Sequence, residues 1–172
     1  MARSTSKATL SERLAGIRLV AFDVDGTLTD GSINYVGEQE LQTFHVHDGH
    51  GIRQLVRAGI EVVWITGRGC HATVLRAHEL GVRELVRKSG PKDVELERIQ
   101  RELGIEPAQT AAMGDDLPDL GFLERSAFLA CPSDAIEAVR RRADWVSQTT
   151  GGRGAAREFC DLLLDARGGD ST

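Results

Sequence analysis

Asp23 and Asp25 stand two residues apart at the end of an apolar run, Ile17 to Phe22, with apolar Val24 between them and Gly26-Thr27 behind. Residues at i and i+2 of an extended chain share a face, so the two carboxylates point together. Like charges held that close disfavour each other's ionised form unless a positive group joins them. A hard divalent cation with oxygen ligands is the natural partner. The bland alternative is a strand end turning through polar residues at Gly26. A second acidic cluster far along the chain, Asp115-Asp116 and Asp119, weighs against it. Carboxylates without a nearby Cys or His cluster favour Mg2+ over zinc.

A carboxylate can attack phosphorus and form an acyl phosphate, which makes Asp23 the candidate nucleophile. A bound cation would offset its repulsion of an incoming phosphate. Asp25 is the candidate acid for the leaving alkoxide and then the base for the hydrolytic water. Each also reads, less well, as a structural or turn-capping carboxylate. Thr66 ends an apolar strand with a hydroxyl and Gly67 exposes its N–H, a pair suited to a phosphate oxygen, though also to a simple helix cap. Lys92 opens a helix, where a cation opposes the dipole; the misfit is tolerable where it meets phosphate and the nucleophile. Asp115 is the expected third metal ligand beside Asp23 and the Asp25 backbone carbonyl, with Asp116 second or supporting. Asp119 is evenly divided between a local cap and a site role. Arg68 suits a substrate carboxylate, or else a surface salt bridge.

Elements must bring these residues together. Strand-like runs at Ile17 to Phe22, Ile60 to Ile65, Val82 to Val86, Thr110 to Met113, Ala127 to Ala130 and Trp145-Val146 alternate with helical patterns. Those helices are expected at Gly51 to Ala58, His71 to Leu80, Val94 to Leu103, Leu120 to Glu124, Ala135 to Arg141 with Ser133 as N-cap, and Gly154 to Leu164. The alternation predicts an α/β fold, a Rossmann-like three-layer sandwich with a central parallel sheet covered on both faces. Such sheets carry their chemistry at the carboxyl ends of the strands, where all the polar signals fall. Ser32 to Val46 breaks the rhythm and reads as a β-hairpin, whose exposed apolar residues predict a subunit contact.

The 172 residues fit one domain, expected at 13–167 between loose ends at 1–12 and 168–172. A formal net charge of -5 argues against a nucleic-acid partner. Cys70, Cys131 and Cys160 are scattered, with neither a zinc nor a disulfide spacing, and read as reduced core residues. With no apolar leader and no run of membrane-spanning length, the chain is expected in the cytoplasm, away from membranes.

DVDGTLTDG, ITGRG, Lys92 and GDDLPDL resemble, in order, the four motifs of the haloacid dehalogenase (HAD) superfamily. The resemblance implies a Mg2+-dependent phosphatase working through an aspartyl phosphate. Asp23 would be nucleophile, Asp25 acid/base, and Thr66 and Lys92 phosphate ligands, with Asp23, the Asp25 carbonyl and Asp115 on the metal. Only the hairpin separates the first two motifs, which resembles the capless branch that dephosphorylates keto sugar acids. LTDGSINY, FHVHDGHGI and GGRGAARE resemble that branch too. It implies 3-deoxy-D-manno-octulosonate 8-phosphate as first substrate, with a nonulosonate 9-phosphate as runner-up. It further implies a homotetramer with packed hairpins, and a glycine-rich C-terminal segment reaching an active site. Gly67, Arg68 and His47 are the expected substrate contacts; His47 stands where the branch has arginine, and Val86-Arg87-Lys88 replaces an aromatic-Gln-Gly run. Pro118 replaces an asparagine in the fourth motif. A non-catalytic oligomerising module with the same fold is the competing class.

Overall fold

The computed structural model describes residues 10–168. The element order is α1 (Leu10–Ala15), β1 (Leu19–Phe22), β2 (Asn34–Val36), β3 (Gln39–Leu41), α2 (Val46–Arg57), β4 (Glu61–Thr66), α3 (His71–Leu80) and β5 (Glu84–Arg87). There follow α4 (Lys92–Leu103), β6 (Thr110–Met113), β7 (Phe128–Cys131), α5 (Glu137–Arg140), β8 (Trp145–Val146) and α6 (Ala155–Ala166). Short 3-10 turns cover Pro107–Gln109 and Leu117–Glu124.

Six strands form one parallel sheet in the order β5-β4-β1-β6-β7-β8. β1 is buried along its whole length, and its side chains divide by parity. Val20 and Phe22 join Trp64, Met113, Leu55 and Phe159 in one core beneath α1, α2, α3 and α6. Leu19 and Ala21 join Val63, Ile65, Leu96, Ile99 and Phe122 in a second core beneath α4 and the 117–124 turn. Period-2 alternation with both faces apolar produces the three layers. Among the described residues no cap domain is inserted; β2 and β3 form a separate antiparallel hairpin between β1 and α2. No described helix is long and apolar enough to cross a membrane.

Several boundaries differ from those expected. α1 begins at Leu10 and buries Leu14, so the loose end expected over 1–12 overlaps a packed helix; residues 1–9 and 169–172 lie outside the described residues. The hairpin strands end at Leu41, and α2 starts at Val46 rather than Gly51. Ser133 caps nothing: α5 starts at Glu137 behind Ile136, whose N–H donates to the Asp115 carbonyl at 3.0 Å. The neighbouring Asp134 carboxylate instead accepts from the Gly151 N–H at 2.9 Å. Cys131 and Cys160 are buried in the core and Cys70 is half-buried, each a free thiol.

The loop before α6 packs on the turn that follows β1. The Gly152 N–H donates to the Thr27 carbonyl at 3.0 Å. A Cβ on Gly151 would lie 1.8 Å from the Gly26 carbonyl oxygen, so only glycine permits this approach. Within its own chain the glycine-rich segment therefore braces the first acidic motif from behind. Asp48, buried in the first turn of α2, accepts from the N–H groups of Gly154 (3.3 Å) and Arg157 (2.8 Å), tying α2 to the start of α6.

Candidate active site

β5, β4, β1 and β6 are neighbours, and the candidate residues sit at their carboxyl ends. The connections leave β1 toward β4 on one side and reach β6 on the other, which opens a crevice at this switch point. Asp23 follows β1 directly, its N–H donating to the Met113 carbonyl at 2.9 Å and prolonging the β1–β6 pairing. Lys92 is the first residue of α4 and is only 5% exposed. Its Nζ donates to Asp23 Oδ1 and Asp119 Oδ1, and lies 5.3 Å from the Phe122 ring centroid. Two carboxylates thus outweigh the unfavourable helix dipole at that position.

Asp119 is a site residue, not merely a cap. While Oδ1 meets Lys92, Oδ2 accepts from the N–H groups of Asp115 (2.8 Å) and Asp116 (3.0 Å). It therefore folds the acidic loop and connects it to the lysine. Asp115 accepts from the Thr27 hydroxyl at 2.9 Å, and a Cβ on Gly26 would lie 2.2 Å from Asp115 Oδ2, with φ at +99°. The glycine of the first motif is required for both its left-handed backbone and the space.

Carboxylate oxygens of Asp23, Asp115 and Asp119 lie within 4.8 Å of one another. Burial first, then Asp119, pushes Asp23 well above the ordinary carboxylate range against the pull of Lys92. Burial, with Asp119 next, pushes Asp115 up to about 6, although Thr27 opposes the shift. Burial also works against the Lys92 charge, yet Asp23 and Asp119 override it and hold Lys92 above its usual value. One ammonium among three carboxylates leaves net negative charge in a poorly solvated place. The donor set, all oxygen and geometrically converged, fits a hard divalent cation.

Asp25 is half-buried. Its Oδ2 accepts from the Thr66 hydroxyl and its Oδ1 from Gln42 Nε2, both at 2.8 Å. Thr66 is fully buried and its hydroxyl is directed at Asp25; Gly67, which is exposed, lines the cleft instead. The cleft has a volume of about 400 Å3, with Asp23, Asp25, Gly67, Arg68, Lys92 and Asp119 among its walls. Between β5 and α4, Lys88 takes a left-handed φ of 52°. Its N–H reaches the Arg68 carbonyl, and the Ser89 N–H reaches the Thr66 carbonyl, so the loop closes onto the cleft.

Asp23, Asp25, Thr66, Gly67, Arg68, Lys92 and Asp115 are therefore brought to one strand-end surface. Arg68 is paired there: its guanidinium donates to Glu40 of β3 at 2.9 Å. His47 is not brought in. It lies exposed on the first turn of α2, its ring against His45 with centroids 5.0 Å apart, outside the cleft of its own chain. Gln42 and Glu40 were not among the expected site residues; both come from a hairpin whose sequence position says nothing of what it folds over.

A parallel sheet with acids at the ends of adjacent strands and a lysine from the flanking helix defines the class. The family model described as haloacid dehalogenase-like hydrolase matches residues 79–159. The 3-deoxy-D-manno-octulosonate 8-phosphate phosphatase of Escherichia coli (strain B / BL21-DE3) is 40% identical over 163 residues, covering 94% of this chain and 86% of that protein. A crystal structure of the phosphatase of that name from Yersinia pestis superposes with a TM-score of 0.89 at 38% identity, covering 92% of this chain and 86% of that one. The Moraxella catarrhalis phosphatase, solved with a magnesium ion, a phosphate ion and a KDO molecule, gives a TM-score of 0.89 at 38% identity, covering 92% and 91%. The chain belongs to the HAD-like hydrolases, in the family of the 3-deoxy-D-manno-octulosonate 8-phosphate phosphatases.

Proposed function

We propose that this protein is a Mg2+-dependent phosphatase that hydrolyses 3-deoxy-D-manno-octulosonate 8-phosphate. The observation that carries the reading is Lys92 joined to both Asp23 and Asp119, with Asp115 alongside, on the floor of a cleft that also holds Asp25. The likeness to relatives of that activity supports the substrate.

Asp23, Asp115 and the Asp25 backbone carbonyl would hold Mg2+, which when bound supplies charge compensation for the phosphoryl group. Asp23 attacks phosphorus while the bond to the sugar oxygen breaks, and Asp25 gives that oxygen its proton. Asp25 then takes a proton from water, whose oxygen attacks the same phosphorus and frees Asp23 and inorganic phosphate. Lys92 balances the charge that builds on the phosphoryl oxygens, and Gly67 offers its N–H at the cleft wall. Thr66 bonds Asp25 in the free enzyme; its place at the strand end also suits a phosphate oxygen. Arg68 pairs with the substrate carboxylate in exchange for, or beside, Glu40.

The assembly in this reading is a homotetramer in the cytoplasm, built through the hairpin. Ile33, Tyr35, Val36 and Leu41 are 52%, 62%, 64% and 47% exposed there, more apolar surface than a small hairpin normally leaves to water. A neighbouring copy laid on the hairpin would roof the cleft and exclude water. His47 would contact substrate only across such an assembly.

Phosphate release should be measured over 3-deoxy-D-manno-octulosonate 8-phosphate, a nine-carbon keto sugar acid 9-phosphate and neutral sugar phosphates, each with Mg2+ and with EDTA. The eight-carbon acid should give the highest kcat/KM, and chelation should abolish turnover. A preference for neutral sugar phosphates, or full activity after exhaustive chelation, would refute the assignment.

A further inference from the structure

We infer that Gln42 is a positioning residue, one that sets the Asp25 carboxylate in the orientation proton transfer requires; this rests on the acid/base role proposed above for Asp25. A carboxylate on a short side chain can rotate about two torsions, and a general acid loses effect when its proton points away from the leaving oxygen. In this site both Asp25 oxygens are engaged. Thr66 holds Oδ2 from the end of β4, and Gln42 holds Oδ1 from the residue after β3, each at 2.8 Å. Two donors arriving from different elements fix the plane of the carboxylate, which one donor would not.

Gln42 is itself held. Its Oε1 accepts from the Thr73 hydroxyl and from the Cys70 thiol, the latter at 3.3 Å. Thr73 is fully buried on α3. The amide has one acceptor end and one donor end, and the surroundings supply donors at the first and a carboxylate at the second. Reversing it would set a carbonyl oxygen against the Asp25 carboxylate, so the network determines which end faces the acid. The long side chain therefore behaves as a fixed strut from α3 to Asp25. Because Gln42 directly follows β3, the seating of the hairpin is transmitted to the acid.

Sequence supports the same separation of roles. Gln42 is neither a metal-type ligand nor one of the acids and bases that move protons, and it is absent from the walls of the cleft. Its only contact with the reacting groups is through Asp25. A positioning defect should therefore appear in the chemical step and spare substrate affinity.

The test compares Gln42→Leu and Gln42→Glu with Asp25→Asn in the full-length Mg2+-loaded enzyme. 3-Deoxy-D-manno-octulosonate 8-phosphate and p-nitrophenyl phosphate serve as substrates. Leu removes the donor at similar volume; Glu keeps the shape and replaces the donor with an oxygen. Both variants should lose about 10–100-fold in kcat on the sugar-acid phosphate, the scale of a small misplacement at a reacting centre, with KM held within about threefold. The loss in kcat/KM should be smaller on p-nitrophenyl phosphate, because a stable phenolate leaves with little need of a proton. Unchanged kcat in either folded variant, or equal losses on both substrates with a raised KM, would overturn the role. If Gln42→Leu fails to fold, Gln42→Glu alone decides by the same criteria. Wild-type turnover in Asp25→Asn would instead remove the acid/base reading, whereas an inactive Asp25→Asn beside fully active Gln42 variants would refute only the strut.

Discussion

The floor of the cleft and its mouth are built on different terms. On the floor, Lys92 and Asp119 are nearly inaccessible, and every polar atom named there has a partner in the same chain. At the mouth, Arg68 is 39% exposed in its side chain and held by one ion pair, and the hairpin beside it turns apolar residues to solvent. In the proposed function the floor handles the phosphoryl group, and it is completed by local loops on adjacent strands. In the same proposal the mouth meets the rest of the substrate, and within one chain it is open to solvent. A low-dielectric floor gives each charge a large effect, whereas solvent at the mouth screens charges and makes each contact weaker.

The largest effects should therefore come from the floor. Asp23→Asn should reduce turnover by on the order of 10^4-fold or more, as loss of a covalent nucleophile does, while the far-ultraviolet circular dichroism stays unchanged. Hydrolysis within a few-fold of wild type, with deamidation excluded by mass spectrometry, would break the assignment. Lys92→Met should cost stability as well as activity. Three carboxylates would then face each other without their ammonium, and removing one member of a buried ion pair costs about 3–5 kcal/mol. Urea unfolding of the metal-free protein measures this; a loss below about 1 kcal/mol would place Lys92 energetically with the surface pairs.

The third effect is the pH dependence of metal stabilisation. Asp115 is pushed up to about 6 from 3.8 by burial and Asp119. Between those values the folded chain keeps a proton that the unfolded chain has lost. Stability of the metal-free protein therefore falls as pH rises through that window, by an amount near 3 kcal/mol at most, since one pKa unit is about 1.4 kcal/mol. A cation on Asp23 and Asp115 reverses this by favouring the ionised form. Saturating Mg2+ should raise the Tm by more at pH 7.5 than at pH 5, where protons compete for the same oxygens. Equal shifts at both pH values in differential scanning calorimetry would detach the metal from these carboxylates.

The floor was also the more legible region. Asp23, Lys92 and Asp115 follow from acids and a lysine placed at the ends of readable strands, and the apolar runs marked those strands clearly. Asp119 remained divided because its role depends on a turn that aims it back through two N–H groups at Lys92, and the spacing of the motif alone fits either reading. The mouth was poorly legible. Phe44 and Val46 with polar His45 between them alternate like a strand, yet α2 begins at Val46 because Asp48 is drawn to N–H groups at the start of α6, more than a hundred residues away. Gln42 has no local signal at all; its partners Asp25 and Thr73 lie on other elements.

A smaller effect is expected at the hairpin. Ile33→Asp combined with Val36→Asp places charge on its exposed apolar surface without touching the floor. Light scattering should show dissociation to the monomer, with kcat/KM on the sugar-acid phosphate reduced by about 10–100-fold as the roof is lost. Dissociation with full activity would mean that one chain suffices, and the mouth is closed by something other than a second copy.

The smallest effect belongs to Arg68, and its pairing explains why. A guanidinium free at the rim would gain a full charge-assisted contact from a substrate carboxylate. Here Glu40 already occupies it at 2.9 Å, so substrate binding exchanges one carboxylate for another or adds to a crowded pair. With the side chain 39% exposed, solvent screening lowers the yield further, to about 1 kcal/mol, or roughly fivefold. Arg68→Ala should therefore reduce kcat/KM about fivefold on the sugar-acid phosphate and leave p-nitrophenyl phosphate, which has no carboxylate, nearly unchanged. Glu40→Gln should act in the opposite direction on the sugar acid by releasing the guanidinium, with an increase of up to a few-fold. Equal losses on both substrates in Arg68→Ala would move Arg68 from recognition to the phosphate site. A loss in Glu40→Gln matching that in Arg68→Ala would make their pair a structural brace between the hairpin and β4, leaving the substrate carboxylate to be recognised elsewhere.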